Sequence, residues 1–206
     1  MSHRPESVLI YHITDVVNLP GILAEGGLHS DVAMARRNPA VIGHRHIKER
    51  RMSEISVPCC GDRFVGEFVP FYFCPRSPML YSINNGRTGL KPGSQRTILH
   101  LVSSVGAALS LERPWAISDG NAGAFHTSFF ADVRALTGLD WSAIRATDWA
   151  GRTNPKAAEF LVADFFPWTK VSAVGCHNEE VQRNVQKLLE SQRHQPAVTV
   201  ESDWYY

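Results

Sequence analysis

The sequence predicts an α+β domain, in which short strands and short helices mix without a regular strand–helix–strand rhythm. Three observations carry that reading. The runs Val8–Ile13, Phe68–Cys74 and Thr97–Val102 are rich in β-branched and aromatic residues, as buried strands are. The 206 residues are 44% hydrophobic and 20% charged, which supports one substantial core in a single domain spanning residues 1–206. Neither a Gly-x-Gly-x-x-Gly fingerprint nor a P-loop is present, which argues against a Rossmann dinucleotide fold and a P-loop NTPase.

Composition narrows the function classes. The net charge is +1, so any surface for a polyanion must be local. No apolar run approaches the length of a membrane span, and Met1–Glu6 lacks the apolar core of a signal peptide; a cytoplasmic protein without membrane contact is expected. The cysteines are Cys59, Cys60, Cys74 and Cys176, with no Cys-x-x-Cys and no His-Glu-x-x-His, so reduced thiols and no metal site are expected.

The elements follow in order. After the first strand, Thr14-Asp15 caps a helix over Val16–Glu25; Pro20 separates its first turn, and Gly26-Gly27 ends it. Arg36–Met52 is the most basic segment, helical from Val41 onward. Ile47 and Arg51 stand four apart on one face, so an inward Ile47 carries Arg51 toward the body of the protein and leaves Arg50 nearer to solvent. Ser53–Gly66 reads as loop. Phe68–Cys74 is an aromatic strand whose Pro70 suggests an edge or an irregular start. Ser77 caps a short helix with Pro78 at its first position.

Thr97–Val102 is a buried strand, followed by a small-residue helix over Ser104–Leu111. Trp115–Ile117 is a short strand, and Ser118–Gly123 a polar loop. Phe125–Leu136 is expected to be helical, and Asp140 to cap a helix over Trp141–Trp149. Residues 151–156 form a basic loop leading into a strand that starts at Glu159. Val171–Gly175 is a strand, Asn178–Gln192 an amphipathic helix, and Ala197–Val200 the last strand.

The Glu159 strand is apolar on both faces, as in a strand covered on both sides. A carboxylate at its mouth is partly desolvated and needs a cation, a hydroxyl or a ligand. His12 ends one strand just before a helix, where backbone and imidazole can meet an anionic or ribose-bearing ligand. Arg51 leans in from the basic helix. No nucleophile with an adjacent base and no pair of carboxylates is evident. The set suits a nucleotide sugar better than an ester: histidine for ribose and base, arginine for phosphate, glutamate for a ribose hydroxyl.

Several blocks carry a specific resemblance: Tyr11-His12-Ile13-Thr14, Asn18–Leu23, His46–Arg51, Val69–Tyr81, Ile98–Ser104, Ala158–Val162 and the end Asp203-Trp204-Tyr205-Tyr206. Together they resemble the DarT family of DNA ADP-ribosyltransferase toxins, in the right order over nearly the whole chain. The resemblance implies an ADP-ribosyltransferase fold, with a split, mostly antiparallel β core flanked by helices. It implies an enzyme that cleaves NAD and attaches ADP-ribose to a thymine base in single-stranded DNA, releasing nicotinamide. NAD is then a substrate, no metal is needed, and the partner is a DarG-type macrodomain antitoxin that removes the mark and binds the toxin.

By motif, Glu159 corresponds to the catalytic glutamate and Arg51 to its supporting arginine. His12, Thr14, Asn18, Gly21 and Leu28 would line the NAD site. Tyr72 and Met79 would face the nicotinamide or the incoming base. Residues 151–156 would form the substrate-recognition loop, with Arg152 and Lys156 available to DNA phosphates. Family members carry Asp-Arg-His-Gly where this chain has Asp119-Gly120-Asn121-Ala122, so Asn121 replaces a histidine and would read a base edge through two hydrogen bonds. Two alternatives stand beside this reading: an ADP-ribosyltransferase acting on protein or RNA, and a non-catalytic nucleic-acid-binding module on the same fold.

Overall fold

A computed structural model describes residues 4–35, 42 and 45–206. Strand β1 (Leu9–Asp15) passes through a 3-10 turn into helix α1 (Leu19–Ala24), strand β2 (Gly27–His29) and the single turn α2 (Asp31–Met34). Helix α3 (Arg45–Ser53) precedes a small hairpin of β3 (Ser56–Val57) and β4 (Arg63–Phe64), then β5 (Phe68–Tyr72) and α4 (Pro78–Asn84). Next come β6 (Ile98–Ser104), α5 (Val105–Leu109), β7 (Trp115–Ser118) and β8 (Phe129–Phe130). Helices α6 (Trp141–Arg145) and α7 (Thr153–Lys156) lead into β9 (Glu159–Ala163) and β10 (Phe165–Pro167). The chain closes with β11 (Ala173–Cys176), α8 (Glu179–Leu189) and β12 (Ala197–Val200).

One eight-stranded sheet organises the rest, in the order β12-β11-β6-β1-β5-β9-β7-β8. Every pairing in it is antiparallel except β11 with β12. The predicted α+β class and mostly antiparallel core are therefore what the chain forms.

The sheet has a narrow seam. β1 runs beside β6 over seven register pairs, Leu9 to Asp15, but meets β5 only through Tyr11 opposite Tyr72. Pro70 explains this. Its carbonyl accepts from His12 Nδ1 at 2.9 Å, so it faces β1, and the N–H that proline lacks would face β1 as well. A ladder hydrogen bond is lost there, and a side chain replaces it. Pro70 thus marks a seam inside the sheet, between β1 and β5, rather than the edge or irregular start the sequence suggested.

The two faces are covered differently. One carries a continuous apolar layer that includes Ile10, Val69, Phe71, Leu99, Leu101, Phe160 and Val162, all buried. Phe160 stacks on Trp115 with ring centroids 5.5 Å apart and planes 10° apart. The other face carries two separate clusters, Phe68 with Ala116, Leu161 and Ala163, and Ile13 with Leu80, Ile83 and Ile98. Between them the register places Tyr11, Tyr72 and Glu159 in one row across β1, β5 and β9. That interruption in the apolar covering is where α3 sets down Arg51.

Local differences from the sequence reading have local causes. Residues 53–66, expected as loop, contain the β3–β4 hairpin, too short to leave a pattern. Phe125–Leu136 is not one helix: it gives β8 and a 3-10 segment, because Asp132 takes the Arg134 backbone N–H and starts a new turn. Residues 151–156 hold the short helix α7 rather than an open loop. The helix after Asp140 is capped as expected, the Asp140 side chain accepting from Ala143 N, but ends at Arg145. Within the basic segment, Arg36, Arg37 and His44 lie outside the described residues, as do the side chains of Arg45 and His46.

Candidate active site

Glu159 is the first residue of β9 and is 1% exposed. Its backbone N–H donates to Ser118 Oγ at 2.9 Å, fixing the start of the strand. Oε1 accepts from Arg51 Nη1 at 3.0 Å and from the Ala122 backbone N–H at 3.1 Å. Oε2 accepts from Arg51 Nη2 at 3.0 Å. This is a bidentate, buried ion pair, in which removing either partner strands a charge in a low-dielectric site. Burial alone would lower the Arg51 pKa, but the Glu159 charge and its hydrogen bonds outweigh that and raise it, so Arg51 remains a cation. Arg51 Nε is also buried and has no acceptor among the described residues.

The helix face acts as its spacing requires. Ile47 and Arg51 both line the cavity. Arg50 turns away, paired with Glu54 at 3.6 Å and lying 4.4 Å over the Phe125 ring.

That cavity has a volume of about 740 Å³, within the range of ligand sites that bury most of a small molecule. It opens along the β1–β5 seam. His12, Thr14, Asn18, Gly21, Leu28, Tyr72, Met79 and Asn121 all line it together with Glu159 and Arg51. Burial lowers the His12 pKa, so the ring is neutral. Its Nδ1–H donates to the Pro70 carbonyl, which leaves Nε2 as an acceptor. The Asn18 amide donates to Thr14 Oγ1 at 3.1 Å. On α1, a Cβ added to Gly21 would meet no atom within 4 Å, so this helix presents bare backbone to open space. Burial, reinforced by the Glu159 charge, raises the Tyr72 pKa and keeps it a neutral phenol. Lys48 and Asp31 also line the cavity and pair with each other at 3.0 Å.

Two expected DNA contacts lie elsewhere. Lys156 is 1% exposed, and its Nζ donates to the carbonyls of Ile144 at 2.7 Å and Ala146 at 2.8 Å. It ties α7 to the end of α6 and cannot reach a DNA phosphate; its short helix turns the side chain inward. Arg152 is exposed but outside the cavity, donating to Ser142 Oγ at 3.0 Å. Asn121 is at the cavity wall, but its Oδ1 accepts from Gly123 N at 2.8 Å. Its amide nitrogen has no partner in that bond, and Oδ1 keeps one of its two acceptor positions.

Four contributors carry no signature of their own in the sequence, although Thr153 and Asn154 lie within the expected recognition loop. Ala122 acts through its backbone N–H, which no side-chain pattern can reveal. Ser118 follows the apolar run Trp115–Ile117, where a polar residue reads as a strand end. Thr153 lines the cavity, and the Asn154 Oδ1 accepts from Asn121 N at 3.1 Å. Among the described residues, no three His, Cys, Asp or Glu are arranged to hold a metal ion, and no helix is long and apolar enough to cross a membrane.

The sequence model described as "ssDNA thymidine ADP-ribosyltransferase, DarT" matches residues 11–206. The chain belongs to the DarT family. A "DNA ADP-ribosyl transferase" of Thermus aquaticus is 41% identical over 206 residues, covering 98% of this chain and 90% of that protein. Solved structures of Thermus sp. 2.9 DarT superpose closely. The complex with ADP-ribosylated ssDNA gives a TM-score of 0.90 at 38% identity, covering 98% of both chains. The complex with NAD+ gives 0.85 at 36% identity, covering 99% of this chain and 100% of that one. A "DNA ADP-ribosyl transferase-DNA ADP-ribosyl glycohydrolase fusion protein" of Thermosipho africanus is 27% identical over 187 residues, covering 87% of this chain and 45% of the fusion.

As a DarT, this chain is a DNA ADP-ribosyltransferase that uses NAD as the ADP-ribose donor. The residues present fit that substrate. A cavity with a buried arginine, a neutral imidazole and a carboxylate offers partners for phosphate and ribose hydroxyls, and the unpaired Arg51 Nε supplies one further buried donor.

Proposed function

We propose that Glu159 is the catalytic residue of this DarT and that it acts through Oε2. The observation that carries this is the unequal filling of the carboxylate. Oε1 takes two donors, Arg51 Nη1 and Ala122 N–H, whereas Oε2 takes one, Arg51 Nη2. A carboxylate oxygen accepts about two hydrogen bonds, so Oε2 has capacity for a hydroxyl of the nicotinamide ribose. Glu159 then stabilises the positive charge that develops on this ribose as the bond from its anomeric carbon to the nicotinamide nitrogen breaks. The bonding pair leaves with nicotinamide. A thymine ring nitrogen attacks the same carbon and gives up its proton.

Arg51 stays a cation, so it does not serve as the base. It holds Glu159 in place and stabilises the developing base anion, while the ring proton passes to Glu159. His12, Thr14, Asn18, Gly21 and Leu28 hold NAD, with the His12 Nε2 as a hydroxyl acceptor. Tyr72 and Met79 face the nicotinamide and then the incoming base. The Asn121 amide nitrogen donates to a base carbonyl, which suits thymine. The base has to be unstacked, which single-stranded DNA allows at low cost. Exposed Arg152 meets the DNA backbone outside the cavity. We also read the protein as a toxin whose partner is a macrodomain glycohydrolase, a reading supported by the fusion of the two activities in the Thermosipho relative.

The test uses NAD with a thymine-containing single-stranded oligonucleotide, an RNA and a protein mixture in parallel, read by mass. Wild type should add one ADP-ribose per modified thymine, to the DNA alone. Glu159→Gln should lose transfer with a lowered Tm, since Arg51 is left without its anion, and is assayed at a temperature at which it is folded and binds NAD. Equal DNA labelling by Glu159→Gln would overturn the assignment.

A further inference from the structure

We infer that Asn154 is a positioning residue for transfer: it sets the orientation of the Glu159 carboxylate through residues 119–123. The inference rests on the reading of Glu159 above.

The chain of contacts is short. Glu159 Oε1 is held by Arg51 on one side and by the Ala122 N–H on the other. The second of these lies only where the loop puts it. Within the loop, Ser118 Oγ donates to the Gly120 carbonyl at 2.7 Å, Asn121 Oδ1 accepts from Gly123 N at 2.8 Å, and Thr127 Oγ1 donates to the Asn121 carbonyl at 2.7 Å. All of these come from the loop's own neighbourhood. The Asn121 N–H instead donates to Asn154 Oδ1, 33 residues away on α7. Asn154 thus ties the backbone one residue before Ala122 to the helix that leads into Glu159.

Gly120 is fitted to the same contact. A Cβ there would overlap the Asn154 amide, so a larger residue at this position would have to push that amide aside. The carboxylate and its backbone donor are therefore both referenced to one rigid turn. α7 also carries Thr153 at the cavity wall, next to Asn154. Without the Asn154 amide, the backbone next to Ala122 loses its tie to α7, and only the Ser118 hydroxyl, which accepts from the Glu159 N–H and donates to the Gly120 carbonyl, still registers the loop to the head of β9. Displacements of about 1 Å in such a constellation cost up to about 100-fold in rate without touching ground-state binding.

Asn154 is half-buried on α7 and does not line the cavity, which separates its effect from substrate affinity. The experiment compares Asn154→Ala and Asn154→Asp with wild type, by Tm, by KM for NAD and by kcat on a thymine oligonucleotide. Aspartate keeps an acceptor oxygen where Oδ1 stands; alanine does not. Asn154→Ala should lower kcat about 10- to 100-fold, with KM for NAD within about twofold and Tm within a few degrees, and Asn154→Asp should restore most of kcat. Three results would overturn the inference: an unchanged kcat for Asn154→Ala, equal impairment of both variants, or a collapse of Tm, which would make Asn154 a folding residue. Glu159→Gln is run beside them. If it retains transfer, the reading of Glu159 fails on its own account; if it loses transfer while Asn154→Ala is unaffected, only the positioning role fails.

Discussion

Arg51 and Glu159 stand 108 residues apart in the chain and meet through two parallel N–H···O bonds of 3.0 Å. The fork of the guanidinium matches the carboxylate, so each holds the other in one orientation. Arg51→Ala should destabilise the fold by about 3–5 kcal/mol, because it leaves a buried carboxylate without its cation. Turnover should fall by at least about 100-fold. Arg50→Ala removes a partly exposed pair with Glu54 and should cost under about 1 kcal/mol, with little loss of turnover. Tm and kcat measured on both variants check this; equal losses would mean that the face of α3 is misassigned.

Stability should fall on the acid side because of buried imidazoles. Burial pushes the His100 pKa from 6.5 down to about 4, with the ring held between the Pro75 carbonyl and the Tyr205 hydroxyl, and His12 shifts the same way. Between those values the unfolded chain binds the proton and the folded one does not. The contribution is therefore complete above pH 6.5 and is lost as the pH falls toward about 4, by about 3 kcal/mol for His100. Tm followed from pH 7 to pH 4 should drop less steeply in His100→Gln than in wild type, after allowing for the variant's lower starting point. Parallel curves would refute the linkage.

Lys156 and Arg152 should separate by readout. Lys156→Met leaves the Ile144 and Ala146 carbonyls without their charged donor and should cost about 3 kcal/mol. The salt dependence of DNA binding should be unaffected. Arg152→Ala should leave Tm nearly unchanged and reduce the slope of log affinity against log salt by about 0.7 for a single-stranded oligonucleotide. A reduced salt slope for Lys156→Met would return that residue to the DNA surface.

Gly21 can be filled without crowding the fold, since a Cβ there points into open cavity. Gly21→Ala should hold or raise Tm, as alanine favours a helix over glycine by about 1 kcal/mol. Gly21→Leu should keep the fold and raise KM for NAD at least about tenfold by occupying substrate space. An unchanged KM would move NAD away from α1.

Much of this was legible in advance for definite reasons. The spacing of Ile47 and Arg51 turns the arginine inward, because residues four apart share a helix face. The apolar run after Glu159 is legible because a strand buried on both faces shows no alternation, and β9 is buried along its whole length. Lys156 was misread because a basic residue in a polar stretch reads as solvated. Its ammonium instead donates to two carbonyls in and just beyond α6, a pairing with no local signature. Pro70 was read as an edge or an irregular start because the missing N–H was visible, but not the His12 side chain that replaces it.

The sequence by itself determined the identities of the reacting groups and the attitudes of two of them: a carboxylate rigidly set at the head of a buried strand and an arginine on the inner face of a basic helix; the histidine expected at a strand end instead lies in the middle of β1, because Thr14 and Asp15 continue the ladder with β6. Tertiary structure decided what those groups hold. The Ala122 N–H on Oε1, the Asn154 amide under the loop, and the seam that Pro70 opens between β1 and β5 depend on backbone atoms brought together across the sheet. Every residue but proline carries the same backbone N–H and carbonyl, so only the fold determines which of them point into the site.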